Sequence, residues 1–114
     1  MIRLFINVGT YHNIESFSFI SGDSMIPEQD EIIIYAWPDA TLREIADMIK
    51  DCSEEAKLKT AKLGIRMIYP DEQGKAVPLD LGILSNTTRG YIDNLTLSSI
   101  KYQTGDYFSV ALYT

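Results

Sequence analysis

The sequence predicts an α+β fold: a mixed five-stranded sheet with one main helix packed on one face. Three observations carry this. Alternating apolar residues at 2–8 and 107–113 mark strands early and late in the chain. One stretch of helical periodicity runs from about Leu42 to about Lys57. The remaining apolar runs are short and strand-like, which suits a sheet covered by a single helix. The 114 residues are 46% hydrophobic and 23% charged, so one domain over 1–114 is expected to bury a core without staples.

Ile2-Arg-Leu-Phe-Ile-Asn-Val8 alternates and makes the first strand. Residues 9–30 read as irregular, punctuated by Gly9, Gly22, Asp23, Pro27 and Asp30. Within them Phe17 and Phe19 alternate with serines and suggest a short extra strand. Residues 31–37 form the second strand, and Tyr35-Ala-Trp-Pro-Asp-Ala-Thr-Leu42 turns it into the helix. Thr41 with Glu44 makes a capping box: the threonine oxygen takes an orphan amide of the first turn, and the glutamate reaches back to the cap N–H. Asp39 adds negative charge beside the positive end of the helix dipole.

The helix carries Leu42, Ile45, Ala46, Ile49, Cys52 and Ala56 on one stripe, so Cys52 is expected as a small buried hydrophobe. Lys57, Lys59 and Lys62 fall at the predicted helix end, where cations complement the dipole. Leu63, Ile65, Met67 and Tyr69 make a third strand, ended by Pro70-Asp71. Asp71–Gly74 reads as a turn into a fourth strand near Val77–Leu81, and Pro78 assigns that strand to a sheet edge. Residues 82–94 read as a long loop; Leu95–Tyr102 then leads through Gly105-Asp106 to the last strand, Tyr107–Tyr113. The order ββαββ, loop, β is that of ubiquitin-like β-grasp domains, whose first and last strands pair in parallel at the sheet centre.

Charge and residue types exclude several functions. Ten basic residues against sixteen acidic ones give a net charge of −6, and duplex nucleic acid needs an array of Lys and Arg on its phosphates. One cysteine rules out an internal disulfide or a Cys-rich zinc site, and one histidine, His12, rules out a His pair on a metal. No nucleophile–base set can be assembled, since Cys52 and His12 belong to a helix stripe and a distant loop. Glu54-Glu55 and Asp71-Glu72 are adjacent acids and read as solvated surface. The chain is therefore expected to be non-catalytic and to need no cofactor. It has no signal-peptide pattern and no apolar run approaching a membrane span, which sets cytosol or nucleus as the default. A ubiquitin-like modifier or sulfur carrier needs a Gly-Gly tail; this sequence finishes Ala-Leu-Tyr-Thr114, so conjugation is not expected.

On residues 31–37 the two faces separate. Ile32, Ile34 and Ala36 are small enough to pack beneath a helix, which leaves Ile33, Tyr35 and Trp37 on the open face. Three large apolar side chains in a row on an uncovered sheet mark an interaction patch, and Trp and Tyr are favoured binding anchors. Tyr107 is assigned to the same open face, giving Ile33, Tyr35, Trp37 and Tyr107 as expected partner-binding residues. The competing reading is that the 9–30 segment folds over this face and buries the row.

Two segments carry a more specific signal. Tyr35-x-Trp37-x-Asp39-Ala40-Thr41-Leu42 before an amphipathic helix is one; Leu95-Thr-Leu97-x-Ser99-x-Lys101-Tyr102-Gln103-x-Gly105-Asp106-Tyr107 is the other. With Arg3-Leu-Phe5 of the first strand, they closely resemble the small Sin-3-associated polypeptide family, the eighteen-kilodalton class, over nearly the whole chain. That resemblance implies a ubiquitin-like fold and a non-catalytic adaptor; the nucleus is the expected location, with room for a cytoplasmic pool. It implies partners in two settings: the subunits of a histone deacetylase corepressor complex, and a splicing- and exon-junction-associated complex. In the second, the partners are an Acinus- or pinin-type scaffold and a serine-rich RNA-binding splicing factor.

Overall fold

A computed structural model describes residues 2–12 and 30–114. Its strands are β1 (Ile2–Val8), β2 (Glu31–Ile34), β3 (Lys62–Pro70), β4 (Ala76–Ser85) and β5 (Tyr107–Tyr113), with one helix, α1 (Leu42–Cys52), between β2 and β3. Short 3-10 turns lie at Glu55–Lys57 and Tyr91–Asn94. The strands form one sheet in the order β2-β1-β5-β3-β4. β1 and β5 are parallel, from Arg3↔Tyr107 to Val8↔Leu112, and the other neighbours are antiparallel. The parallel central pair and the Pro78-bearing edge strand are as the sequence predicts. The strand suggested around Phe17 and Phe19 lies outside the described residues.

The core is on the helix side of the sheet. Leu42, Ile45, Ala46 and Ile49 of α1 pack with Ile2 and Leu4 of β1, Leu63, Ile65 and Met67 of β3, and Phe108, Val110 and Leu112 of β5. Each strand contributes alternate residues, so the period of two along the strands meets the period of 3.6 on the helix. The opposite face of the sheet centre is also filled, by Phe5, Ile68 and Tyr107. The Phe5 and Tyr107 rings meet edge to face with centroids 5.8 Å apart. The Arg3 guanidinium lies over both, 5.6 and 5.4 Å from their centroids. Further along this face Arg66 covers the Tyr11 ring at 4.1 Å, at Gly64, where a Cβ would strike the Tyr11 hydroxyl.

Several elements depart from expectation. α1 stops at Cys52 rather than near Lys57 because Ser53 leaves helical conformation (φ −140°, ψ 117°) and its Oγ accepts the Ala56 N–H at 3.4 Å. A serine that bonds the backbone ahead of it competes with helix continuation. Asn86 fastens the resulting 3-10 turn by donating to the carbonyls of Ala56 and Leu58 at 2.8 and 2.6 Å. Ala56 thus joins the core while Cys52, on the last residue of α1, is exposed; the expected burial of Cys52 is corrected accordingly. Lys57, Lys59 and Lys62 are not the C-terminal charges of α1, a place held by Lys50.

β4 is twice the expected length and takes in residues 82–85 of the predicted loop. Two apparent breakers are accommodated by its edge position. Pro78 needs no second neighbour for its missing N–H, and Gly82 (φ +133°) sits at a bulge where the pairing slips from Ile65↔Gly82 to Arg66↔Asp80.

Candidate functional site

Among the described residues β2 has β1 as its one neighbour and forms an edge of the sheet. Its register with β1 sets which side chains face which way. Ile34 opposite Ile2 and Ile32 opposite Leu4 turn to the core, and Ile34 is only 6% exposed. Ile33, opposite Arg3, turns away and is 48% exposed. The strand ends at Ile34, shorter than the expected 31–37, yet the alternation carries on: Ala36 packs against the core while Tyr35 and Trp37 are 72% and 80% exposed.

The backbone beneath these two aromatics is anchored. Trp37 O accepts the Ala40 N–H at 2.9 Å, and Pro38 O accepts the Ser98 N–H at 2.9 Å. Leu97 N donates to Ala40 O and Leu42 N to Leu95 O, so the corner is stitched to segment 95–98 on both sides of the Thr41↔Thr96 bridge. Thr41 Oγ1 accepts the Glu44 N–H at 3.1 Å, the threonine half of the expected capping box. These bonds fasten the backbone from Trp37 to Leu42, directly beneath and beyond the two aromatics. Rigid aromatics lose little entropy on binding.

Tyr107 is brought to the same face. The pairs Arg3↔Ile33 and Arg3↔Tyr107 place the three residues in one cross-strand row, with Arg3 in the middle. Tyr107 is 9% exposed, however, packed on Phe5 and beneath the Arg3 guanidinium. Glu31 binds the same guanidinium through its carboxylate. Ile33, Tyr35 and Trp37 form the accessible part of the row, and Tyr107 is its support.

The structure adds a wall that the sequence pattern did not assign to this region. A cavity of about 390 Å³ opens at Ala36 and Pro38, the residues flanking Trp37, and is lined also by Ile2, Leu97, Ser98, Tyr102 and Thr104. The 97–106 segment holds its shape by local bonds. Lys101 takes a left-handed φ of 63° after one helical turn, with Tyr102 N donating to Leu97 O and Lys101 N to Ser98 O. Gly105 takes φ +101°, and Asp106 accepts the Gln103 N–H at 3.0 Å. Burial pushes the Asp106 carboxyl above its ordinary range against that hydrogen bond. Burial, and then the charge of Asp106, raises the Tyr102 hydroxyl, whose ring stacks on Phe108 at 5.5 Å. The signal was present in the Leu95–Tyr107 pattern, but spacing alone does not say that this segment lies against the Trp37 corner.

Among the described residues no group of three or more His, Cys, Asp and Glu side chains is arranged to hold a metal ion. His12 Nε2 lies 3.2 Å from Asp30 Oδ2 and 3.3 Å from Ile6 O, bringing together the residues on either side of segment 13–29. This surface offers exposed apolar area over a hydrogen-bonded backbone, with Asp39 exposed beside it.

The model of the Sin3 associated polypeptide p18 family matches residues 1–112. The histone deacetylase complex subunit SAP18 of Arabidopsis thaliana is 30% identical across 99% of this chain and 73% of its own length. The protein of the same name from Homo sapiens is 30% identical across 98% and 71%, and that from Drosophila melanogaster 25% identical across 98% and 72%.

Proposed function

The chain belongs to the Sin3 associated polypeptide p18 family, and from that premise we propose that it is a non-catalytic adaptor subunit of a histone deacetylase corepressor complex, working in the nucleus through protein–protein contacts. The observation that carries the reading is the exposed row Ile33, Tyr35 and Trp37 on an anchored backbone at a sheet edge. Large apolar side chains clustered in the open on a small acidic domain mark a binding site. Tyr107 takes part from beneath, by holding Arg3 in the row. The relatives' names supply the complex, and the resemblance through Tyr35–Leu42 and Leu95–Tyr107 supports a second setting for the same surface. There it joins splicing- and exon-junction-associated assemblies, with an Acinus- or pinin-type scaffold and a serine-rich RNA-binding splicing factor.

Affinity purification of the intact chain from nuclear extract, read by mass spectrometry, tests this. Deacetylase subunits should be recovered, and Trp37→Ala should reduce recovery by about thirty-fold, the effect of losing an anchor worth ~2 kcal/mol. Equal recovery of deacetylase subunits with both forms would show that the row is not the site, and their absence from both would overturn the corepressor reading.

A further inference from the structure

The two edges of the sheet are built differently. At the β4 edge, Pro78 withdraws an N–H, a bulge leaves Leu81 without a partner, and Gly82 bends the strand. Each of these deters a further strand from pairing. The β2 edge, Glu31-Ile-Ile-Ile34, has no proline, glycine or lysine, and among the described residues no strand pairs with its outer side. A strand paired on one side presents alternate N–H and C=O groups outward, and this one does so beside the exposed side chains of Ile33, Tyr35 and Trp37. The protein carries a net charge of −6, and Asp39 stands exposed two residues from Trp37. The nearby cations are engaged: Arg3, on the open face opposite Ile33, binds Glu31, and Arg43 binds Asp93.

We infer that the outer edge of β2 accepts an extended segment of the partner protein as a sixth strand, apolar at alternate positions along Ile33, Tyr35 and Trp37 and carrying Lys or Arg at its flanks. This rests on reading the row as the partner site and adds the manner of binding. Backbone bonds to β2 supply affinity, the aromatic row reads every second side chain, and the net negative charge selects basic flanks.

The test is selection of a displayed library of random peptides, each about ten residues long, the length of an ordinary strand, on the immobilised intact chain. Enriched peptides should alternate apolar residues with a period of two and carry basic ends. N-methylation of their alternate amides on one side should weaken binding about tenfold or more, and methylation of the other set much less, because only one set faces β2. Trp37→Ala should weaken them as well. Peptides with helical spacing, or ones indifferent to N-methylation yet sensitive to Trp37→Ala, would overturn strand addition and leave the row as the site. Peptides indifferent to both, or no enrichment at all, would overturn both readings.

Discussion

Arg43 Nε donates to the Asp93 carboxylate at 2.7 Å, tying the first turn of α1 to the 3-10 turn that follows β4. A second guanidinium nitrogen donates to Ser85 O at 2.7 Å, and Asp93 also accepts the Gly90 N–H at 2.8 Å, so both charges are buried with partners. Burial alone would raise the Asp93 carboxyl; the Gly90 hydrogen bond and the Arg43 guanidinium together outweigh it and hold the group below its ordinary value.

Removing one side of this pair should be costly. Arg43→Ala leaves the Asp93 carboxylate with the Gly90 N–H and the more distant Arg89 guanidinium, and should lower unfolding free energy by about 3 kcal/mol in urea titration. The pH dependence follows from the depressed Asp93 value. Its contribution is complete above the unfolded-state carboxyl pKa of about 3.9 and is lost as pH falls through the lower folded value. Asp93→Asn, whose oxygen still accepts from Gly90, should flatten the acid limb of the stability curve below about pH 4. An acid limb unchanged by the substitution would show that Asp93 titrates alike in both states.

The two sets of side chains from 31 to 37 should separate folding from binding. Ile34→Ala empties a core position and should cost about 2–5 kcal/mol. Trp37→Ala removes an exposed side chain and should change stability by less than about 0.5 kcal/mol. Chemical denaturation of the two variants checks the pair; comparable losses would mean that the tryptophan carries a structural load.

Cys52 at the end of α1 should react fully with a thiol reagent such as dithionitrobenzoate in native buffer. One equivalent per chain without denaturant is the expected stoichiometry. Reaction that waits for urea would place the thiol in the interior.

Backbone conformation makes opposite demands at two positions. Gly82→Ala puts a side chain at φ +133° with its Cβ 2.9 Å from the Ile92 side chain, and should destabilise by about 1–3 kcal/mol. Lys101→Gly relieves a left-handed φ of 63° and should stabilise by about 1 kcal/mol. Thermal unfolding midpoints moving in the same direction for both would contradict this account.

What was legible in the sequence was whatever a local rule decides. The alternation in 2–8 and 107–113, the Thr41 cap and the edge placement implied by Pro78 each rest on chemistry within a few residues, and each is found. The end of α1 was not legible, because Asp51-Cys-Ser-Glu-Glu55 has no glycine or proline and the apolar stripe runs on to Ala56 through a change of backbone. β4 was cut short because Pro78 and Gly82 break a central strand but not an edge strand with a bulge. At the candidate site, period two separated Ile33, Tyr35 and Trp37 from Ile32, Ile34 and Ala36. It gave the direction of Tyr107 but not its burial, which depends on Phe5 and Arg3, about a hundred positions earlier in the chain.

β5 lies between β1 and β3, so among the described residues the first two strands and the next two form separate ribbons that are hydrogen-bonded together through the last strand. During synthesis, both ribbons and the apolar stripe of α1 emerge before the strand that completes the sheet. Until residues 107–113 arrive, Leu4 and Leu63 lack the neighbours Phe108 and Leu112 that pack them. Contacts of such long sequence separation are slow to form and leave sticky surface exposed meanwhile. A chain cut anywhere before β5 keeps both ribbons but lacks the strand they pair with, so Leu4 and Leu63 stay uncovered on that side and no smaller version of this sheet can close.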